Sequence, residues 1–226
     1  MMCARDVQET VLRAHKLYEQ GNVEQALNLY NSIEKKGPAT WYNMGNCHYS
    51  LKNYMDALVC WKKAERDASW SELPSIYHNI DETYKNLHVE HGGGFNASIK
   101  RIIQRVLALF SLYGWQLLFL LVWVILLFFA ARLARNRKFG ILSVLSVLVL
   151  LFGTCLYKKY DLTFMRSGII MEKNLTVYAG PGDDFHELGS LAKATEISIC
   201  DEHNDWIKIR DQKLVGWVPL KKVEIV

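Results

Sequence analysis

Few side chains in this sequence are spaced for catalysis. His88, Glu90 and His91 fall within four residues and are the nearest approach to a metal-ligand set, but no further ligand is spaced with them. A histidine near a helix C-terminus is also what the helix dipole favours. The five cysteines, Cys3, Cys47, Cys60, Cys155 and Cys200, include no CxxC pair and no metal spacing, and read as isolated buried thiols. There is no glycine-rich phosphate loop, no GxSxG, no HExxH and no Cys–His pair at a recognised spacing. The expectation is a non-enzymatic protein that needs no cofactor and no metal. Its chemistry is then recognition, and the elements that present it decide what is recognised.

The N-terminal element is a repeat. Gln25-Ala26-Leu27 followed by Tyr30 recurs as Asp56-Ala57-Leu58 followed by Trp61, and Trp41, Met44, Gly45, Tyr49 and Tyr54 stand ahead of the second copy. Small residues at Gly45, Ala57 and Ala64 let two antiparallel helices approach, and Trp41, Met44 and Trp61 fill the space around them. This pattern resembles the tetratricopeptide repeat (TPR), with one strong copy and one degenerate copy that keeps Ala14, Leu17, Tyr18, Gly21, Asn22, Ala26, Tyr30 and Pro38. A fifth helix over 72–90, opened by Pro74 and stopped by His91 and the glycines after it, reads as a cap. Helix stacks of this kind curve, and the resemblance makes the first helix of each pair the inner, partner-binding face. The residues at those positions are His15, Tyr18, Tyr42, Asn46, Tyr49, His78, Glu82 and Lys85.

The middle of the chain reads as membrane. Residues 112–131 carry no charge over twenty positions and residues 139–157 none over nineteen, each long enough to cross roughly 30 Å of hydrocarbon. A glycine linker and a juxtamembrane amphipathic helix precede them over 92–111, with Ile99, Ile102, Ile103, Val106, Leu107 and Phe110 on one side and Lys100, Arg101, Gln104 and Arg105 on the other. This helix is expected to lie in the lipid interface, the alternative being a soluble helix packed on the repeats. Basic and acidic residues number ten and twelve over 1–91, ten and one over 92–167, and seven and ten over 168–226. The positive excess therefore flanks the spans, where it meets lipid headgroups, and argues against nucleic acid as a partner. The turn at 132–138 holds four cations and no acid, which favours a cytoplasmic turn and periplasmic modules; Lys100, Arg101, Arg105, Lys158, Lys159 and Arg166 pull the other way.

After a linker at 158–167, residues 168–226 break into six short β-rich runs separated by Gly, Pro, Asp and Asn, the pattern of a small barrel. Leu175 to Gly182, Leu188-Gly189, Asp205 to Ile209 and Gly216 to Pro219 resemble the bacterial SH3 (SH3b) domain in order and spacing. The resemblance implies a groove at Tyr178, Asp183, Asp184, Trp206, Trp217 and Pro219; Tyr178 and the acidic pair Asp183-Asp184, where the sequence departs from the family, suit an extended peptide with a positive charge or an amine-bearing cell-wall (peptidoglycan) fragment. The alternative puts Trp206 in the core, and Trp217 is expected there.

The fold class expected is thus a multidomain membrane protein with an N-terminal α-helical TPR-like module, a transmembrane helical hairpin and a C-terminal small SH3-like β-barrel. Taken together, these parts resemble the E-type family of bacterial aerotolerance (Bat) operon proteins, BatE-like. The resemblance implies a multi-pass protein of the bacterial inner membrane, a scaffold in an envelope-stress complex beside membrane-anchored von Willebrand A-domain proteins and a MoxR-type ATPase. An accessory or targeting subunit of a cell-wall-modifying enzyme complex is the alternative. Members of that family usually begin with a signal peptide, whereas MMCARDVQET runs straight into an amphipathic helix. An upstream apolar segment ending near Cys3, or cytoplasmic repeats, are the two readings of that difference.

Overall fold

The computed structural model describes residues 4–89, 95–135, 139–211 and 214–226. They form two compact units, Met1–Gly93 with Met165–Val226, and Gly94–Phe164.

The first unit opens with five helices, α1 (Ala4–Glu19), α2 (Val23–Asn31), α3 (Pro38–Ser50), α4 (Tyr54–Asp67) and α5 (Leu73–Asn86). The repeat period is visible in how the first helix of each pair stops. Gly21, Lys52 and His88 each take a left-handed conformation, with φ of 81°, 61° and 52°. In each case the next amide reaches back five residues, Asn22 to Leu17 O at 2.9 Å, Asn53 to His48 O at 2.9 Å and Val89 to Tyr84 O at 3.2 Å. The cap helix therefore ends at Asn86, before the glycine run expected to stop it; Glu90, His91 and the glycines lie outside the described residues. Inside, Ala14, Ala26, Tyr30, Ile33, Met44, Cys47 and Cys60 form one buried cluster. The small residues at the crossings admit the large ones, as the pattern requires.

The rest of the first unit is an antiparallel sheet of seven strands, β1 (Arg166–Ile170), β2 (Asn174–Tyr178), β3 (Glu187–Ala192), β4 (Glu196–His203), β5 (Trp206–Arg210), β6 (Val215–Pro219) and β7 (Val223–Ile225). Six correspond to the expected runs. The seventh follows a 3-10 turn at Leu220–Lys222 and pairs with β1, Gly168 opposite Ile225. The strand order is β3-β2-β6-β5-β4-β1-β7. Leu191 on β3 and Val223 on β7, from opposite ends of that order, share one core with Ile170, Leu175, Val177, Ile197, Ile207, Ile209 and Val218. A sheet that buries one face against itself in this way must coil, which is how a small β domain removes apolar surface without a second layer.

The second unit holds α6 (Phe95–Leu107), α7 (Leu112–Arg135) and α8 (Phe139–Phe164). Windows Leu112–Ala130 and Ser143–Phe164 are long and apolar enough to cross a membrane. α7 and α8 pack together with Gly153 under the Phe119 ring, where a Cβ would sit 3.3 Å from Phe119 Cε2. Helix α8 continues through most of the residues read as a linker, so that only Met165 separates it from β1. Nothing there stops a helix: the stretch lacks Gly and Pro, Thr163 Oγ1 donates to Lys159 O at 2.8 Å, and the Tyr160 and Phe164 rings stack one turn apart at 4.5 Å.

Candidate functional site

The first candidate surface is the inner face of the helical repeats. Its geometry starts at Gly45, whose missing side chain leaves room for the Trp61 indole; Trp61 Nε1 donates to Tyr42 O at 3.1 Å and fixes α3 on α4. Tyr49 then rests on Trp61, ring centroids 5.6 Å apart, with Tyr54 edge-on at 5.4 Å. Polar bonds tie the first helices of the pairs into one face. Tyr18 Oη and Ser50 Oγ are 3.2 Å apart, Asn86 Nδ2 donates to Tyr49 Oη at 2.9 Å, and Asn79 Nδ2 donates to Asn46 Oδ1 at 3.3 Å.

The structure thus brings Tyr18, Asn46 and Tyr49 together. Three partners, Ser50, Asn79 and Asn86, were not among the residues read from sequence. Asn79, Glu82 and Asn86 recur at i, i+3 and i+7, a spacing that carried the signal. His15 and Glu82 instead pair within their own helices, His15 Nε2 with Glu19 at 3.3 Å and Glu82 with Lys85, a hydrogen bond that holds the Glu82 carboxyl below its usual range. His78 is exposed. Between the starts of α3 and α5 lies a cleft of about 310 Å3 lined by Pro38, Tyr42, Asn43, Glu72, Ser75 and Ile76. Glu72 is not free there, since its Oε2 accepts from Ser69 N at 2.8 Å and Ser69 Oγ at 2.6 Å.

The second surface is the outer face of the sheet. Val177, Ile207 and Val218 point into the core, so their neighbours Tyr178, Trp206, Trp217 and Pro219 point out, all partly exposed. Trp217, weighed as a core residue, is therefore a surface one. Tyr178 pairs across the sheet with Trp217, Trp217 with Lys208, and Trp206 with Pro219. Tyr178 and Trp206 meet edge-to-face at 5.5 Å, and Lys208 Nζ stands 6.0 Å from the Trp217 ring centroid. The result is an aromatic platform with a cation on it. Asp183 and Asp184 are exposed in the β2–β3 loop, together with Phe185, whose ring covers Gly180.

A third feature joins the two modules. Lys62, only 8% exposed on α4, holds Glu65 Oε2 and Glu196 Oε2 at 2.9 Å each, the second from β4. Burial pulls its pKa down, but the two carboxylates outweigh this and hold the ammonium well above its usual value. Around it Lys63 pairs with Glu224 at 2.8 Å, Arg66 donates to Val226 O at 3.2 Å, and Tyr84 Oη donates to Ala194 O at 3.2 Å. Burial pushes the Tyr84 phenol up to about 12, so it stays a donor. These bonds join α4 and Tyr84 of α5 to β4, to Glu224 of β7, to Val226 and to the turn before β4. Neither the ladder of the first helices nor the aromatic platform takes part in these bonds.

Of the thiols, burial raises Cys47 to about 11 and Cys60 to about 12, which leaves both protonated and unreactive at neutral pH.

Comparison with known families agrees with this geometry. The tetratricopeptide repeat model matches residues 38–65, the α3–α4 pair, and the bacterial SH3 domain model matches residues 173–223, β2 to the start of β7. The N-terminal region is thus a TPR-like helical module and the C-terminal sheet is SH3-like. Both families are binding modules, whose ligands are of protein or cell-wall type. No curated protein matches the chain.

Proposed function

We propose that this chain is a non-enzymatic, membrane-anchored scaffold. The inner face of its repeats takes a polypeptide, and the aromatic platform of its SH3-like module takes an extended peptide or cell-wall fragment. The observation that carries this reading is the clasp around Lys62, which joins the two modules while using none of the residues of either candidate face. One body then offers two binding surfaces at once. Lys208 beside the rings and Asp183–Asp184 in the loop suit a ligand carrying both a carboxylate and an amine, as a peptide stem does.

Helices α7 and α8 are the anchor, and contact between the modules supports a crossing by α7 that α8 undoes, with both modules on one side. The order of parts supports a place in a Bat-type envelope-stress complex of the bacterial inner membrane, with von Willebrand A-domain membrane proteins and a MoxR-type ATPase as partners and both modules periplasmic.

The test is crosslinking capture from native membranes with the full chain and with a Tyr42→Ala/Asn46→Ala double variant whose circular dichroism melt is unchanged. Loss of the same protein partners in the variant supports the repeat face as the binding site. Undiminished capture sinks it, and recovery of cell-wall hydrolases instead of A-domain proteins would favour the accessory-subunit reading. Labelling from outside with a cysteine-reactive probe, at the exposed hairpin residue His203→Cys but not at Asn136→Cys, is expected for periplasmic modules; the opposite pattern refutes that orientation.

A further inference from the structure

Helix α6 has its polarity the wrong way round for water. In a soluble amphipathic helix the apolar stripe packs inward and the charged stripe faces solvent. Here Ile99, Ile102, Ile103 and Val106, spaced one turn apart on one stripe, are 38%, 61%, 46% and 42% exposed. On the opposite side Arg101, Gln104 and Arg105 are partly buried, Arg105 Nε fully so, and each has a partner within the protein, as does Lys100. The helix is also fastened to the hairpin. Leu107 is buried, Trp115 Nε1 on α7 donates to Leu107 O at 3.1 Å, and the Trp115 ring meets Phe110 edge-on at 5.6 Å and Phe152 of α8 at 6.2 Å.

Past this junction Leu109 and Phe110 are exposed, as are apolar residues of α7 such as Leu117, Leu120, Leu121 and Val124. Leu112, where the first membrane-length window opens, follows the end of α6 by five residues. We infer that α6 is a third membrane element, embedded by its isoleucine stripe among lipid acyl chains at the boundary of the bilayer. This inference rests on the membrane-anchor reading above. Its occupant is hydrocarbon rather than an anionic headgroup surface, because the cations of α6 are engaged by the protein itself. Attachment is then driven by apolar area, which salt does not screen, instead of by charge, which salt does.

The test uses the full chain in vesicles, with Cys3, Cys155 and Cys200 replaced by Ala and the buried Cys47 and Cys60 retained. A bimane fluorophore is placed at Ile102→Cys, or at Leu120→Cys on α7 as reference, in phosphatidylcholine vesicles containing lipid brominated at a shallow acyl position. Quenching of the Ile102 probe by about twofold or more is expected, unchanged when salt rises from about 0.1 to 0.5 M and when phosphatidylglycerol replaces part of the neutral lipid. If the Leu120 probe is quenched and the Ile102 probe is not, α6 lies outside the lipid and the inference falls while the anchor stands. Quenching at Ile102 only with anionic lipid and only at low salt means a headgroup-docked helix, which also overturns it. If neither probe is quenched, the anchor reading itself is wrong.

Discussion

Replacing Lys62 by Met removes one charge and keeps most of the aliphatic stem, so it isolates what the clasp contributes. Each Lys62–carboxylate attraction at 2.9 Å amounts to about 6 kcal/mol gross at an effective dielectric near 20, most of it offset by the cost of taking three charged groups out of water. Removing one partner of such a buried set typically costs about 3–5 kcal/mol, because the remaining charges are left buried and uncompensated. Glu65 is 10% exposed but Glu196 is 29% exposed, and water reaching Glu196 puts the expected loss near the lower end, about 3 kcal/mol. The neighbouring Lys63–Glu224 pair, 22% and 48% exposed, is the internal control, for which Lys63→Met should cost about 0–1 kcal/mol. Hydrogen exchange on the full chain in detergent reads this locally, through the amides of α4 and of β4 from Ile197 onward. Lys62→Met should accelerate exchange at both ends of the clasp by about a hundredfold, and Lys63→Met by less than about fivefold. A triple variant, Lys62→Met with Glu65→Leu and Glu196→Leu, should recover most of the loss, since an apolar set leaves no unpaired charge. Equal effects for the two lysine variants, or unchanged protection in Lys62→Met, would refute the argument that this buried triad holds the modules together.

Gly45→Ala should destabilise the repeats by about 1–3 kcal/mol, because its Cβ would fall 2.5 Å from Trp61 Cδ1 and 2.8 Å from Cε2; an unchanged melting temperature refutes the close approach of α3 and α4. Trp217→Ala should weaken titration by muropeptides about tenfold with little loss of stability, since the residue lies on the outer face of β6, and a variant that unfolds instead would return Trp217 to a structural role. Burial holds the His48 imidazole below its ordinary value, with Asp56 opposing. The unfolded chain therefore binds more protons in that range, and the stability of the repeats should fall as pH drops through about 6.5. His48→Gln should flatten this fall between about pH 7 and 5.5, and an identical slope in melts of the two proteins would show that another group is responsible.

Much of the architecture was legible because it is written in period and length. The recurrence of Ala26–Tyr30 at Ala57–Trp61 announces paired helices, the uncharged runs announce the long helices, and short β-rich runs between turn residues announce the sheet. Local pattern fails where both faces of an element look alike. In β6, Val215, Trp217 and Pro219 lie on one side and Gly216 and Val218 on the other, so hydrophobicity alone does not say which side is core; pairing with Tyr178 and Lys208 decides that the tryptophan faces out. A lysine on a helix such as Lys62 reads as solvated until a glutamate 134 residues away is brought to it. The same holds for α6, whose amphipathic stripe is plain in sequence but whose inverted exposure is a property of what packs beside it. Periodicity belongs to a segment and survives in the one-dimensional chain, whereas burial and charge pairing belong to distances between segments, which folding alone sets.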